Sequence, residues 1–323
     1  MEDFTNRVGS VIALPALLDN IASSYALGDI IASVPILIGY QDYNVDLTTS
    51  KGRYVVKIFS KEKSKERIDD VVWAYAHSAK LGVPVAQIIQ TPDKRPVIEI
   101  SGDSRPVYAC VFAYFPSKPL TRVPVTDTDL DLLTNAMAAI HRIPKTVHRY
   151  YDTLGIINLT DLYKKNNAAL NTEELAIITP VVAKMSKIDF SAFPHSIIHG
   201  TFEKENVLKN PTGEIRLLDF GCMDYNASIL DIATYIANFT LYLDDTRRTH
   251  VAHRILEVYE QSRPLTSAER AALPTLIRSQ FAAHAIHMTY YMRIDHDMTK
   301  QTQTWLDRGW DGLRTYASVK KIL

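Results

Sequence analysis

Apolar residues recur at helical spacing at Leu17, Leu18, Ile21 and Tyr25 and stop before Gly28, which predicts a short amphipathic helix with a glycine end. Ile30 to Ile38 reads as a strand. Residues 43–49 alternate, Lys51-Gly52 turns the chain, and residues 53–59 return, so a hairpin is expected. The run 60–67 mixes both charge signs and reads as the solvated start of a helix. That helix continues through Val71, Val72, Tyr75 and Ala79 to the stop Gly82-Val83-Pro84. Strands are expected over Pro96 to Ile100 and Val107 to Phe112.

Beyond Phe115 the pattern turns helical. Leu130, Leu133, Met137 and Ile140 lie three or four apart behind the capping residues Thr126 and Thr128, and Pro144 ends the run. His141 reads as a C-terminal cap of this helix. Further helices are expected over Leu159 to Lys187, Asp231 to Leu243 and Val251 to Gln261. Another starts at the capping box Thr266/Glu269 and runs past Pro274, and a closing helix takes Trp305, Leu306, Trp310 and Leu313 into the core.

Between these helices sit two short hairpin arms. Ile197-Ile198 leads to the turn His199-Gly200, and Asn206 precedes Val207-Leu208. The turn 210–213 leads into Ile215 to Leu218, which ends on Asp219-Phe220-Gly221. Asn206 and Asp219 thus fall near one end of a hairpin, and an amide oxygen with a carboxylate suits Mg²⁺. Lys57, inside V-V-K-I-F, either faces solvent or meets an anion, because an unpaired buried ammonium is costly.

At 323 residues, two domains or lobes are expected. The 36 basic and 36 acidic side chains cancel, so composition gives no hint of nucleic-acid or membrane attraction. Two cysteines, Cys110 and Cys222, are far apart, which argues against a disulfide framework or cysteine-rich metal site and fits a reducing cytoplasm. The first residues lack the basic start and apolar core of a secretory signal, and no uncharged run approaches the roughly 20 residues a bilayer span needs. A cytoplasmic location is expected.

The motifs H-G-T-F-E-K-E-N-V-L, L-D-F-G and L-D-I-A together resemble the catalytic core of the aminoglycoside phosphotransferase and homoserine kinase superfamily, relatives of the protein kinases. The resemblance implies an α+β, two-lobed, protein-kinase-like fold: a small antiparallel-sheet N-lobe over residues 1–115 and a larger, mainly helical C-lobe over 116–323. It implies ATP and Mg²⁺ as cofactors and a small-molecule hydroxyl as phosphate acceptor. Lys57 would grip the nucleotide phosphates under a turn holding Gly39 and Asn44. Asp70, or else Glu66 or Asp69, would hold that lysine, and the backbone of residues 113–115, Ala113 and Phe115 included, would bind adenine. Asn206 and Asp219 would hold the metal, His199 would shape the loop or act as a base, and Asp231 would brace it.

One position departs from the pattern. The family's third catalytic-loop residue is the carboxylate that receives the acceptor's proton, and here it is Thr201. A hydroxyl accepts a hydrogen bond but is no base near neutral pH. Three explanations stand: an inactive nucleotide-binding relative or scaffold, an inactivated copy of an active kinase, or a substitute carboxylate among Glu203, Glu205 and Asp224. Glu203 and Glu205 read equally as solvent-facing loop residues. Tyr235, Asn238, Tyr242, Asp244 and Asp245 are candidates for lining an acceptor pocket, and His284 and His287 with 295–297 for a metal site.

Overall fold

The computed structural model describes residues 2–10, 12–36, 39, 41–101 and 105–317. Its elements begin with α1 (Glu2–Val8), α2 (Leu14–Ser24), β1 (Ile30–Ile36), β2 (Tyr43–Thr49), β3 (Gly52–Ile58) and α3 (Lys65–Lys80). Next come β4 (Ile88–Ile89), β5 (Ile98–Ile100), β6 (Val107–Ala113), β7 (Lys118–Pro119), α4 (Asp127–His141), α5 (Leu159–Asn166) and α6 (Thr172–Met185). Then follow β8 (His195–Ile198), β9 (Val207–Lys209), β10 (Ile215–Leu217), β11 (Asp224–Ala227), α7 (Ile229–Thr240), α8 (Asp245–Glu260), α9 (Ser267–Arg293) and α10 (Lys300–Thr315). An antiparallel sheet comes first and a mainly helical region follows, an α+β fold. The expected strand to Ile38 is described only to Ile36; residues 37 and 38 lie outside the described residues.

Two compact units divide the chain: residues 1–117 with 210–218, and residues 118–209 with 219–323. In the first, the sheet order is β1-β2-β3-β6-β4, with β5 also on β6. Strand β2 alternates strictly between buried and half-buried positions. Its Val45 and Leu47, with Val56 and Ile58 of β3, pack against Leu17, Leu18 and Ile21 of α2. Successive side chains of a strand point to opposite faces, so Lys57 turns away from this core, and the register sets it directly opposite Asn44. The arm β10 joins the same unit: Leu217 donates its N–H to Pro84 O at 2.6 Å and accepts from Ala86 N at 3.1 Å.

The charged run before α3 is not wholly solvated as expected. Ser64 caps the helix by accepting from Arg67 N, and Lys63 and Arg67 are both buried. A long aliphatic stem allows such burial where the charged head finds a partner.

In the second unit, β8 pairs with β11 and β7 with β9. Helix α7 is buried along its whole length. The expected capping box Thr266/Glu269 forms on α9, and of the two capping candidates on α4 it is Thr126 that caps, in a box with Asp129 that was not expected from the sequence. Helices α9 and α10 lie against each other at Gly309 and Gly312. A Cβ on Gly309 would sit 2.5 Å from Ala285 N, and one on Gly312 would sit 2.1 Å from the Phe281 ring.

Candidate active site

The turn after β8 is held by one carboxylate. His199 donates its N–H to Asp231 Oδ2 at 2.7 Å and Gly200 donates to Oδ1 at 2.9 Å. Asp231 stands in the first turn of α7, where the helix N-terminus favours negative charge. His141 Nε2 lies 3.1 Å from Oδ2, while His141 Nδ1 lies 2.7 Å from the Tyr259 hydroxyl. This corrects the capping role expected for His141: its ring leaves its own helix end and reaches the carboxylate. Burial pushes the Asp231 carboxyl up, but the His141 hydrogen bond and charge, with the contribution of His199, outweigh that and hold it below its usual range.

The His199 ring is fully buried, 4.8 Å from the Phe220 ring and 5.5 Å from that of Phe202. Gly200 adopts φ +84°, and a Cβ there would fall 2.3 Å from Cys222 O, so only glycine fits. Thr201 O accepts from Asn206 Nδ2 at 2.9 Å and from Glu203 N at 2.8 Å. With Nδ2 turned into the loop, Asn206 Oδ1 is the end of the amide available to a cation. Asp219 is itself left-handed at φ +59°, a conformation an aspartate tolerates better than most residues, and its Oδ1 accepts from Gly221 N at 3.0 Å.

The carboxylates near Thr201 are not the solvent-facing loop residues that were one expectation. Glu203 is 8% exposed, accepts from Gln280 Nε2 at 3.3 Å, and lies 3.4 Å from Arg308 Nη1. Glu205 pairs with the same guanidinium. Asn238 ties the loop further, accepting from Lys204 N at 3.0 Å and donating to Glu205 at 3.3 Å. Burial pushes the Glu203 carboxyl up to about 7; Arg308 opposes this, and Glu205 and Asp152 add to it. Arg308 is the residue the sequence left unnoticed, since it lies about a hundred positions from both partners.

Several acceptor candidates have other duties. Tyr235 is fully buried, with its hydroxyl on Leu130 O at 3.3 Å and its ring among Phe202 and Phe239. Asp244 caps α8, and Asp245 pairs with Arg248. His284 contacts Gln280 O at 3.1 Å and meets Trp305 edge-on. Among the described residues no three His, Cys, Asp or Glu side chains gather as a metal site. Mg²⁺ does not need such a cage, because it keeps waters and substrate phosphates alongside one or two carboxylates; Asn206 and Asp219 are the hard oxygen donors that fit it.

In the first unit, Lys57 is buried and its Nζ lies 3.0 Å from Asp42 Oδ2. Lys63 Nζ reaches the same oxygen at 2.7 Å, and Ser60 N–H donates to Oδ1 at 3.0 Å. Burial alone would raise the Asp42 carboxyl, but Lys63 and then Lys57 hold it far below the usual range. Asp42 and Lys63 were missed from sequence. The only signal was the lysine in V-V-K-I-F, which called for some anion without saying which. Asp70 is buried on α3. Gly39, at φ +98°, accepts from Arg7 Nη1 at 2.7 Å through its carbonyl, and a Cβ there would meet nothing. Ala113 donates its N–H to Gln87 O at 2.9 Å, and Phe115 O accepts from Ser117 Oγ at 2.8 Å.

An antiparallel sheet, a helical region and a braced H-G-x-x-x-x-x-N loop are the architecture of a kinase-like phosphotransferase. Residues 33–271 match the model of the Phosphotransferase enzyme family. The chain is 24% identical to the hydroxylysine kinase of Mus musculus, over 88% of this chain and 84% of that protein. It is also 24% identical to the homoserine kinase of Methylobacillus flagellatus, over 79% and 78% respectively. Among solved structures, the amicoumacin kinase in complex with AMP-PNP, Ca²⁺ and Ami superposes with a TM-score of 0.69 at 15% identity, covering 94% of both chains.

The chain therefore belongs to the Phosphotransferase enzyme family, whose kinases transfer phosphate from ATP to small molecules. No helix among the described residues is long and apolar enough to cross a membrane.

Proposed function

We propose that this chain binds ATP with Mg²⁺ and moves the γ-phosphoryl group to a hydroxyl of a small polar metabolite or aminoglycoside-like compound. The observation that carries this is the pair of hydrogen bonds that the amides of His199 and Gly200 donate to the Asp231 carboxylate. It fixes the backbone just before position 201, and the Asn206 side chain fixes the backbone just after it. Phosphoryl transfer passes through a loose transition state, so such positioning supplies much of the catalysis.

In this reading Lys57 grips the nucleotide phosphates with Gly39 and with Asn44, which lies opposite it on β2 rather than in the expected turn; the backbone of residues 113–115 meets the adenine, and Asp70 lies behind the lysine. Asn206 and Asp219 offer their oxygens to Mg²⁺, which when bound neutralises charge on the transferring phosphoryl group. The Thr201 hydroxyl accepts a hydrogen bond from the acceptor's hydroxyl and orients it; as the acceptor oxygen bonds the γ-phosphorus and the bond to the departing ADP oxygen breaks, the proton passes to an oxygen of the transferred phosphoryl group. The names of the two kinase relatives, for hydroxylysine and homoserine, support an acceptor that carries an amine beside its hydroxyl.

Thr201 favours a second reading, in which nucleotide binds without turnover. The two part in one experiment: thermal unfolding with ATP and Mg²⁺, then ADP formation over a panel of amino alcohols by the wild type and by Thr201→Asp. Stabilisation by ATP that EDTA abolishes is expected, with slow wild-type turnover raised roughly 10²- to 10⁴-fold by the restored carboxylate. Stabilisation with no ADP from the wild type, whatever Thr201→Asp does, makes the chain a nucleotide-binding module. No stabilisation at millimolar ATP overturns both.

A further inference from the structure

Asp224 opens β11 directly opposite Ile198, the residue before the catalytic turn. It is 6% exposed, and only one of its oxygens is satisfied: Oδ2 accepts from Asn226 Nδ2 at 3.0 Å, while Oδ1 is buried with no hydrogen-bond partner. Asp224 lines a cavity of about 40 Å³ together with Asp152, Asp231, Ile198, Gly200 and Thr234. Among the described residues lining it there is no lysine, arginine or histidine.

These observations constrain what belongs there. An ionised carboxylate oxygen removed from water costs several kcal/mol unless something donates to it or neutralises it. Asp231 is already satisfied by two backbone amides and His141. Asp224 is not. One ordered water needs only about 10–15 Å³ of such space and would donate to Asp224 Oδ1 without neutralising the Asp224 carboxylate. A –CH₂–NH₃⁺ head brings several donors and a positive charge, and it is of a size to occupy the cavity. Gly200 lines the wall and is bonded to Thr201, so a cation held here has its neighbouring carbons next to the catalytic loop.

We propose that this cavity receives the ammonium group of the phosphate acceptor, with Asp224 Oδ1 as its anchor, so that the acceptor is an amino alcohol rather than a neutral sugar or polyol. The acceptor's identity rests on the phosphotransferase function proposed above; the ammonium site itself does not.

The probe is ethanolamine against ethylene glycol, a pair of equal length differing in the ammonium group, each titrated by calorimetry into the wild type and Asp224→Asn with saturating ADP and Mg²⁺. Ethanolamine is expected to bind the wild type at least tenfold more tightly than ethylene glycol. Asp224→Asn is expected to lose that preference while keeping its stabilisation by ADP. Equal affinities for the two probes in the wild type overturn the proposal, as does an undiminished preference in Asp224→Asn. If Asp224→Asn fails to fold, the wild-type comparison alone decides. Ethanolamine preference without any nucleotide stabilisation keeps the ammonium site and removes the phosphotransferase reading, so the two fail separately.

Discussion

The His141 ring and the Asp231 carboxylate meet at 3.1 Å, 90 residues apart in sequence, and the carboxylate passes that restraint to the backbone of the catalytic turn. Tyr259 fixes the far side of the imidazole at 2.7 Å. A helix end, a helix start and a loop are thereby joined through four side-chain contacts.

Asp231→Ala leaves two amide donors and His141 without their shared acceptor. Losses of about 1–3 kcal/mol for each unsatisfied buried group predict a protein at the edge of folding, read by urea unfolding. Because the Asp231 carboxyl is held below its usual range, its contribution is fully present above the unfolded value near 3.8 and is lost as pH falls through the folded one. Asp231→Asn should flatten that acid limb in a pH series of unfolding midpoints.

Glu203 has the opposite sign. Its carboxyl rises from 4.5 to about 7 on folding, so between those values the folded protein binds more protons than the unfolded chain. Stability from this group therefore declines as pH rises from about 4.5 through 7. Glu203→Gln should remove the decline, gaining on the wild type at pH 8 relative to pH 5, as thermal scans at the two pH values would show.

Arg308→Met strands Glu203 and Glu205 without their shared cation. Removing one partner of a buried pair costs about 3–5 kcal/mol, and the cost should be smaller at pH 5, where Glu203 takes up a proton. Chemical denaturation at pH 5 and pH 8 gives the comparison.

Asp42 has two ammonium groups, and they are separable. Lys57→Met leaves Asp42 with Lys63 at 2.7 Å, so the fold should persist while stabilisation by ATP is lost. Asp42→Ala leaves two buried ammonium groups near each other and should destabilise by several kcal/mol. Circular dichroism melts with and without nucleotide distinguish the two outcomes.

Gly200→Ala sets a methyl group 2.3 Å from Cys222 O at a left-handed φ. That oxygen belongs to the backbone and cannot swing aside as a side chain could, so soluble yield and melting temperature should both fall, whereas Gly213→Ala meets open space and bears only the cost of its own positive φ.

Much of the architecture was written locally. The alternation of 43–49, the capping residues Thr126 and Thr266, and the turn before Asp219 are short-range signals, and each produced the element expected of it. The sheet-then-helix order followed from these. What escaped were pairings between distant segments. Lys63 looked like part of a solvated charge run, while Asp42 in its loop and Arg308 on the closing helix carried no local signal that singled them out. Local periodicity reports which face of an element is buried; it does not report which buried charge from elsewhere will meet it. The His141 ring and the Tyr235 hydroxyl were misjudged for the same reason.

Gly309 and Gly312 fasten α10 onto α9 so closely that neither sliding nor rolling of one helix on the other is free. Arg308 immediately precedes the first of these glycines. The pair therefore acts as a keyway: by fixing the rotation of the last helix, it decides the direction from which the guanidinium arrives at Glu203 and Glu205. Two residues with no side chain at all thus govern the electrostatic setting of a loop a hundred residues upstream.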